Sequence, residues 1–120
     1  MAATQVVVLK FGGTSVSNLP NWRNIADIVR KRRATGARVL VVHSAVSGIT
    51  DRLEKLLSAA LAGVYDAQLE AIEERHRTLA TELGVGIGAT LQGCFDLLRA
   101  QAAAIAASKS LDDRTRALVM

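Results

Sequence analysis

Lys10 is one of only two lysines in the first fifty residues, the other being Lys31, and its neighbours suit anion binding. The run VVVLKFGGTSV, Val6 to Val16, sets an ammonium at the end of an apolar segment and follows it with Gly12, Gly13, Thr14 and Ser15. Glycines let backbone N–H groups approach an anion with no Cβ in the way, and Thr and Ser add hydroxyl donors. A helix beginning just beyond would point its dipole at the same negative charge. A charge at the end of such a strand is costly unless paired, and the nearest acid in sequence is Asp27. A polyphosphate is the natural partner, with Lys10 as its counter-charge. A second stretch, SAVSGIT from Ser44 to Thr50, again combines hydroxyls with a glycine.

The elements that must hold these residues can be read from periodicity. QVVVLKF is continuous and β-branched, the pattern of a strand covered on both faces. NLPNWRNIADIVRKRRATG reads as a helix, with Pro20 near its first turn, Trp22, Ile25, Ile28 and Val29 on one face, cations in its last turn and Gly36 as its stop. ARVLVVHS is a second strand, which completes a βαβ unit. His43 stands there in place of an apolar residue, as a packed or partly solvated strand end. Both glycine-containing loops then leave the carboxyl ends of neighbouring strands, where ligands sit in open α/β sheets.

After SAVSGIT the pattern is helical only. Leu53, Leu56, Leu57, Ala60 and Leu61 share one face. Tyr65, Leu69, Ile72, His76, Leu79 and Leu83 form a longer stripe ending at Gly84, and Leu91, Phe95, Leu98, Ala102 and Ile105 mark an antiparallel partner. Ser110, three residues before Asp113, suggests a capping box for a last helix. No repeat or linker interrupts residues 1–120. Two strands do not make a stable sheet, so the sequence reads as the front part of a larger α/β domain.

Composition narrows the function class. Half of the 120 residues are hydrophobic but only 3% are aromatic, which provides a core of Ala, Val, Leu and Ile. The net charge of +4 comes mostly from Arg23, Arg30, Lys31, Arg32, Arg33 and Arg38, a local excess at a helix end that reads as solvated rather than as a nucleic-acid surface. The apolar start is too short for a signal peptide, and no stretch approaches the roughly 20 residues of a membrane helix. One cysteine, Cys94, fits a reducing, cytoplasmic setting and reads as a buried packing residue. His76 lies on an apolar stripe with no second ligand near it in sequence, so no metal residue is assigned. The acidic run EAIEERH reads as the outer face of its helix.

Competing phosphate motifs fail on spacing. A Walker A loop needs its lysine after the glycines, and Lys10 precedes them. GVGIGA, Gly84 to Ala89, follows a helix rather than a strand and reads as an interhelical turn.

With KFGGTSV and HSAVSGITDRL at this separation, the chain resembles the aspartokinases of the amino acid kinase superfamily, clearly over Val6 to Leu57 and less so beyond. The resemblance implies a three-layer α/β/α sandwich, of which residues 1–120 would be the N-terminal part of one catalytic domain. It implies ATP as phosphoryl donor, Mg2+ as companion ion and the β-carboxylate of L-aspartate as acceptor, in the step that opens lysine, methionine and threonine synthesis. Lys10 would neutralise the transferring phosphoryl group. Phe11, Gly12, Gly13 and Ser15 would line the ATP phosphate pocket, largely by backbone, while Ser44 and Thr50 would face the aspartate. A homo-oligomer is expected. The family's Gly-Glu motif and magnesium carboxylates are not found in these residues, so the 120-residue chain alone is expected to be inactive. A superfamily kinase acting on glutamate, acetylglutamate or a nucleotide, or a non-catalytic module of the same fold, stands as the alternative.

Overall fold

The computed structural model describes residues 3–120; Met1 and Ala2, the start of the expected domain, lie outside the described residues. The chain divides into two compact units that meet between Ser47 and Gly48 in sequence.

The first unit is a βαβ arrangement. Strand β1, Val6–Phe11, pairs in parallel with β2, Arg38–His43, in a register running from Val6 beside Arg38 to Phe11 beside His43. Helix α1, Leu19–Ala34, connects them. Its N-cap is Asn18, whose side chain accepts from the Asn21 N–H at 3.0 Å, and Pro20 in the first turn loses no helical bond because its N–H would have had no partner there. Lys31, Arg32 and Arg33 lie in the last turn, where the helix dipole favours cations. The N–H of Thr35 closes onto Arg32 and Arg33, and Gly36, at φ 85°, turns the chain back toward β2.

One expectation needs correction. Val6 and Val8 are 59% and 61% exposed, and Leu40 and Val42 are exposed beside them, while Val7, Leu9 and Phe11 are half-buried. The strand alternates between a covered and an open face instead of being covered on both. The reason is simple. Among its described residues this unit has one α-helix, and one helix covers one face of a two-stranded sheet.

The second unit is helical: α2, Ile49–Leu61; α3, Asp66–Leu83; α4, Ala89–Ser108; and α5, Asp113–Val119. Its core joins Leu56, Leu57 and Ala60 of α2, Leu69, Ile72 and Leu79 of α3, and Phe95, Ala102 and Ile105 of α4. Helix α2 packs on both α3 and α4. The last two run antiparallel: His76 of α3 meets the Phe95 ring, whereas Glu73 and Asp66, further back, both reach forward to Arg99. Glu73 thus departs from the outer face expected of EAIEERH. Its side chain is only 13% exposed because Arg77 and Arg99 draw it into the α3–α4 seam. Replacing Leu56, which is fully buried, with alanine should lower the unfolding free energy by about 2–5 kcal/mol in a denaturant titration.

Helix α5 is capped by Asp112 rather than by Ser110. The Asp112 carboxylate accepts from the Thr115 N–H at 2.7 Å, while the Ser110 hydroxyl turns to Ser108 at 3.1 Å. Lys109, at φ 54°, ends α4. The Thr115 backbone N–H, and after it the Thr115 hydroxyl, hold the Asp112 carboxyl below the ordinary Asp value of 3.8. A depressed value means that the cap is fully effective above that pH and is lost as pH falls through the lower, folded-state value. Followed by NMR between about pH 5 and pH 2, the Thr115 amide should lose its cap in the native chain, and Asp112→Asn should abolish that transition while keeping an oxygen acceptor. Arg116 of α5 ties the helix to Glu54 of α2 at 2.8 Å.

Candidate functional site

Parallel pairing brings the ends of β1 and β2 together. The Ser44 N–H donates to the Phe11 carbonyl at 3.1 Å, so residues 12–17 and 44–47 leave the sheet side by side. The first of these loops contains a short 3-10 turn, Thr14–Val16. Gly13 lies so close to the second that an added Cβ would stand 2.8 Å from the Ala45 carbonyl oxygen and 3.3 Å from the Ser47 nitrogen. Its φ of −59° is available to any residue. Glycine is needed here for proximity, not for conformation. The Ser17 hydroxyl donates to the Gly13 carbonyl and accepts from the Ser47 N–H at 3.0 Å.

The first turn of α1 grips the loop from the other side. Asn21 Nδ2 donates to the Thr14 carbonyl at 2.9 Å, and Trp22 Nε1 to the Val16 carbonyl at 2.8 Å. The Trp22 ring also meets the exposed His43 imidazole edge-on, with centroids 6.0 Å apart.

The result is a loop with a surplus of donors. The carbonyls of Gly12, Gly13, Thr14 and Val16 all accept hydrogen bonds from within the unit. Among the described residues, nothing accepts from the N–H groups of Gly12, Gly13 and Thr14. An added Cβ at Gly12 would meet nothing within 4 Å. Lys10 lies on the open face with Val6 and Val8, and no described carboxylate pairs with it. Asp27, the acid nearest in sequence, is held instead by Arg30 at 3.1 Å. Such a loop can accept an anion at its backbone.

A profile of the amino acid kinase family matches residues 5–117, almost the whole chain. The chain belongs to the amino acid kinase family. Its relatives carry a narrower name. It is 39% identical to an aspartokinase of Chlamydia trachomatis over 84 residues, 70% of this chain and 18% of that one. It is 48% identical to an aspartokinase of Pseudomonas aeruginosa over 67 residues, 56% of this chain and 16% of that one. Against the chloroplastic bifunctional aspartokinase/homoserine dehydrogenase 2 of Arabidopsis thaliana it is 40% identical over 78 residues, 63% of this chain and 8% of that one. The chain therefore spans less than a fifth of the length of these curated relatives.

Within this amino acid kinase chain, the expected site residues separate into three groups. Lys10, Gly12 and Gly13 belong to the donor-rich loop or the strand leading into it. Phe11 and Ser15 turn to the α1 side, lining a cavity of about 140 Å3 with Asn21, Asn24, Ile25 and Ile28. The alternation of strand side chains puts Phe11 opposite Lys10. The Ser15 N–H is spent on the Gly12 carbonyl at 3.1 Å, so Ser15 can offer only its hydroxyl. Ser44 is exposed in the second loop, and Thr50 is the exposed second residue of α2, in the second unit. Gly48, at φ 85°, precedes α2 in a conformation that favours glycine.

Sequence reasoning overlooked Asn21, Trp22, Ser17 and Ser47. The side-chain N–H donors in the first turn of α1 were the available signal for the first two; Ser47 lay within SAVSGIT, and Ser17 left none. The remaining candidates behave more plainly. His76 packs against Phe95 with centroids 5.5 Å apart. Cys94 is exposed, at the rim of an apolar cavity of about 270 Å3 within the helical unit, and is not the buried residue expected. The residues Lys31, Arg32 and Arg33 are solvated at the helix end. Among the described residues, no three His, Cys, Asp or Glu side chains are grouped to hold a metal, and no helix is long and apolar enough to cross a membrane.

Proposed function

We propose that the chain carries the phosphate-binding part of an aspartate kinase, which transfers the γ-phosphoryl group of ATP to the β-carboxylate of L-aspartate. The observation that carries this reading is the run of N–H groups at Gly12, Gly13 and Thr14, without partners among the described residues, in a loop whose Gly12, Gly13, Thr14 and Val16 carbonyls accept hydrogen bonds. The aspartokinase names of its relatives supply the acceptor.

Each residue has a definite task. Gly12 and Gly13 present N–H donors to phosphate oxygens and Thr14 adds a hydroxyl, while the Ser15 hydroxyl serves from the α1 side of the loop. Lys10 neutralises negative charge as it spreads over the transferring group. Such a reaction needs positioning and electrostatic stabilisation more than covalent help from the protein. Phe11 packs its ring toward α1 and gives its carbonyl to Ser44, so it fixes the base of the loop. Ser44 and Thr50 serve the aspartate side, Thr50 by a hydroxyl hydrogen bond. ATP fits the donor set of the loop. A magnesium ion would be carried chiefly by the nucleotide's own phosphates, since among the described residues no three His, Cys, Asp or Glu side chains are grouped to hold one. A homo-oligomer in a reducing, cytoplasmic setting completes the reading, with the exposed sheet face as the surface that would favour self-association.

Isothermal titration of the 120-residue chain with ATP and with inorganic tripolyphosphate tests the binding role, and both should bind. Aspartyl phosphate, trapped as its hydroxamate, should form with the complete protein and not with this chain. Failure of both polyphosphates to bind would remove the kinase reading; binding without transfer to any amino acid by the complete protein would leave a non-catalytic module.

A further inference from the structure

We propose that Ser17 is a positioning residue that transmits anion binding from the first loop to the second, through a continuous chain of polarised hydrogen bonds. The proposal rests on reading the first loop as a polyphosphate site. Its basis is that the Thr14 N–H and the Gly13 carbonyl belong to one peptide group. That N–H has no partner among the described residues, while the Gly13 carbonyl accepts the Ser17 hydroxyl. The Ser17 oxygen in turn accepts the N–H of Ser47, thirty residues away in sequence.

An anion that accepts from the Thr14 N–H draws the peptide dipole toward itself and enriches the Gly13 oxygen. The Gly13 oxygen then holds the Ser17 proton more strongly. The Ser17 oxygen becomes the better acceptor for Ser47. Each bond reinforces the next, through a part-buried bond from Ser17 to Gly13 and an exposed one from Ser47 to Ser17. A hydroxyl performs this relay because it donates once and accepts once at the same atom, which a thiol does only weakly and a methyl not at all. The close packing of Gly13 on Ala45 and Ser47 keeps the two loops near enough for the chain to close. The second loop begins at Ser44, so the relay would tighten the acceptor side of the site when the nucleotide side fills.

The test follows backbone amides of the 15N-labelled 120-residue chain during titration with inorganic tripolyphosphate. In the native chain, the Gly13, Thr14 and Ser47 resonances should move with one midpoint. In Ser17→Ala, Gly13 and Thr14 should still move, whereas the Ser47 shift should fall below about a fifth of its native size. Ser17→Thr, which keeps the hydroxyl, should restore it. If the β1 amides show that the alanine variant has lost its fold, Ser17→Cys, a weaker donor and acceptor at the same position, should at least halve the Ser47 response. A full Ser47 shift in Ser17→Ala, or in Ser17→Cys where the alanine variant is unfolded, would overturn the relay while leaving the phosphate reading intact. Absence of any shift at Gly13 and Thr14 in the native chain would instead overturn the phosphate reading, and the relay with it.

Discussion

Lys10→Met should weaken tripolyphosphate binding to the chain at least about tenfold and lower kcat of the complete protein by about 10²–10³, equivalent to about 2–4 kcal/mol of transition-state stabilisation. Methionine keeps the apolar stem beside Val8 and across from Val42, its neighbour in the parallel register, and removes only the charge. Because Lys10 is exposed and has no described carboxylate partner, its loss should change the unfolding free energy by no more than about 0.5 kcal/mol. Arginine should retain most of the binding yet lose much of the rate, since a planar fork cannot take the position of a compact ammonium. Higher ionic strength should weaken native binding and have less effect on the methionine variant, as expected of an exposed charge. Native affinity in Lys10→Met would mean that the ammonium does not face the phosphate.

The two adjacent glycines should respond in opposite ways. Gly13→Ala would place a methyl 2.8 Å from the backbone oxygen of Ala45, a contact that no rotation relieves. The two loops must separate, at a cost of about 1–3 kcal/mol, as for other forced overpacking. Binding should disappear with the geometry. Gly12→Ala meets open space and should leave stability within about 0.5 kcal/mol of native, since it also reduces the freedom of the unfolded chain. Polyphosphate affinity should nevertheless fall, because the new methyl occupies the approach to the N–H groups. Thermal unfolding with and without tripolyphosphate separates the two effects. Equal destabilisation by both substitutions would show that the loops are not packed as described.

Much of the first unit was legible before any coordinates. Pro20 and Gly36 mark the limits of α1 by local chemistry, each acting within a turn of its own position. The β-branched runs on either side, separated by one helix, place both glycine loops at the same end of a parallel pair. The helical stripes around Leu56, Leu69 and Phe95 likewise mark a core, because the helix period alone brings such residues to one face.

Other features depended on which surfaces meet. Apolar runs at β1 and β2 state that the strands can be buried, but coverage requires a second layer, and α1 is the only α-helix among the described residues of that unit. Asp112 and not Ser110 is the cap: the Ser110 hydroxyl is engaged with Ser108 at the end of α4, a contact that no spacing rule contains. Cys94 reads as packing from its neighbour Phe95, yet adjacent helical residues point about 100° apart, and only one of the two faces the core.

The residue order alone dictates the helices, the strands and the identity of the glycine loops, since those rest on interactions within a few positions. The requirement for glycine at 13, the donor surplus of its loop and the bridge from Ser17 to Ser47 exist only in three dimensions. They arise where backbone atoms far apart in the chain approach within van der Waals contact, a distance that side-chain pattern does not encode.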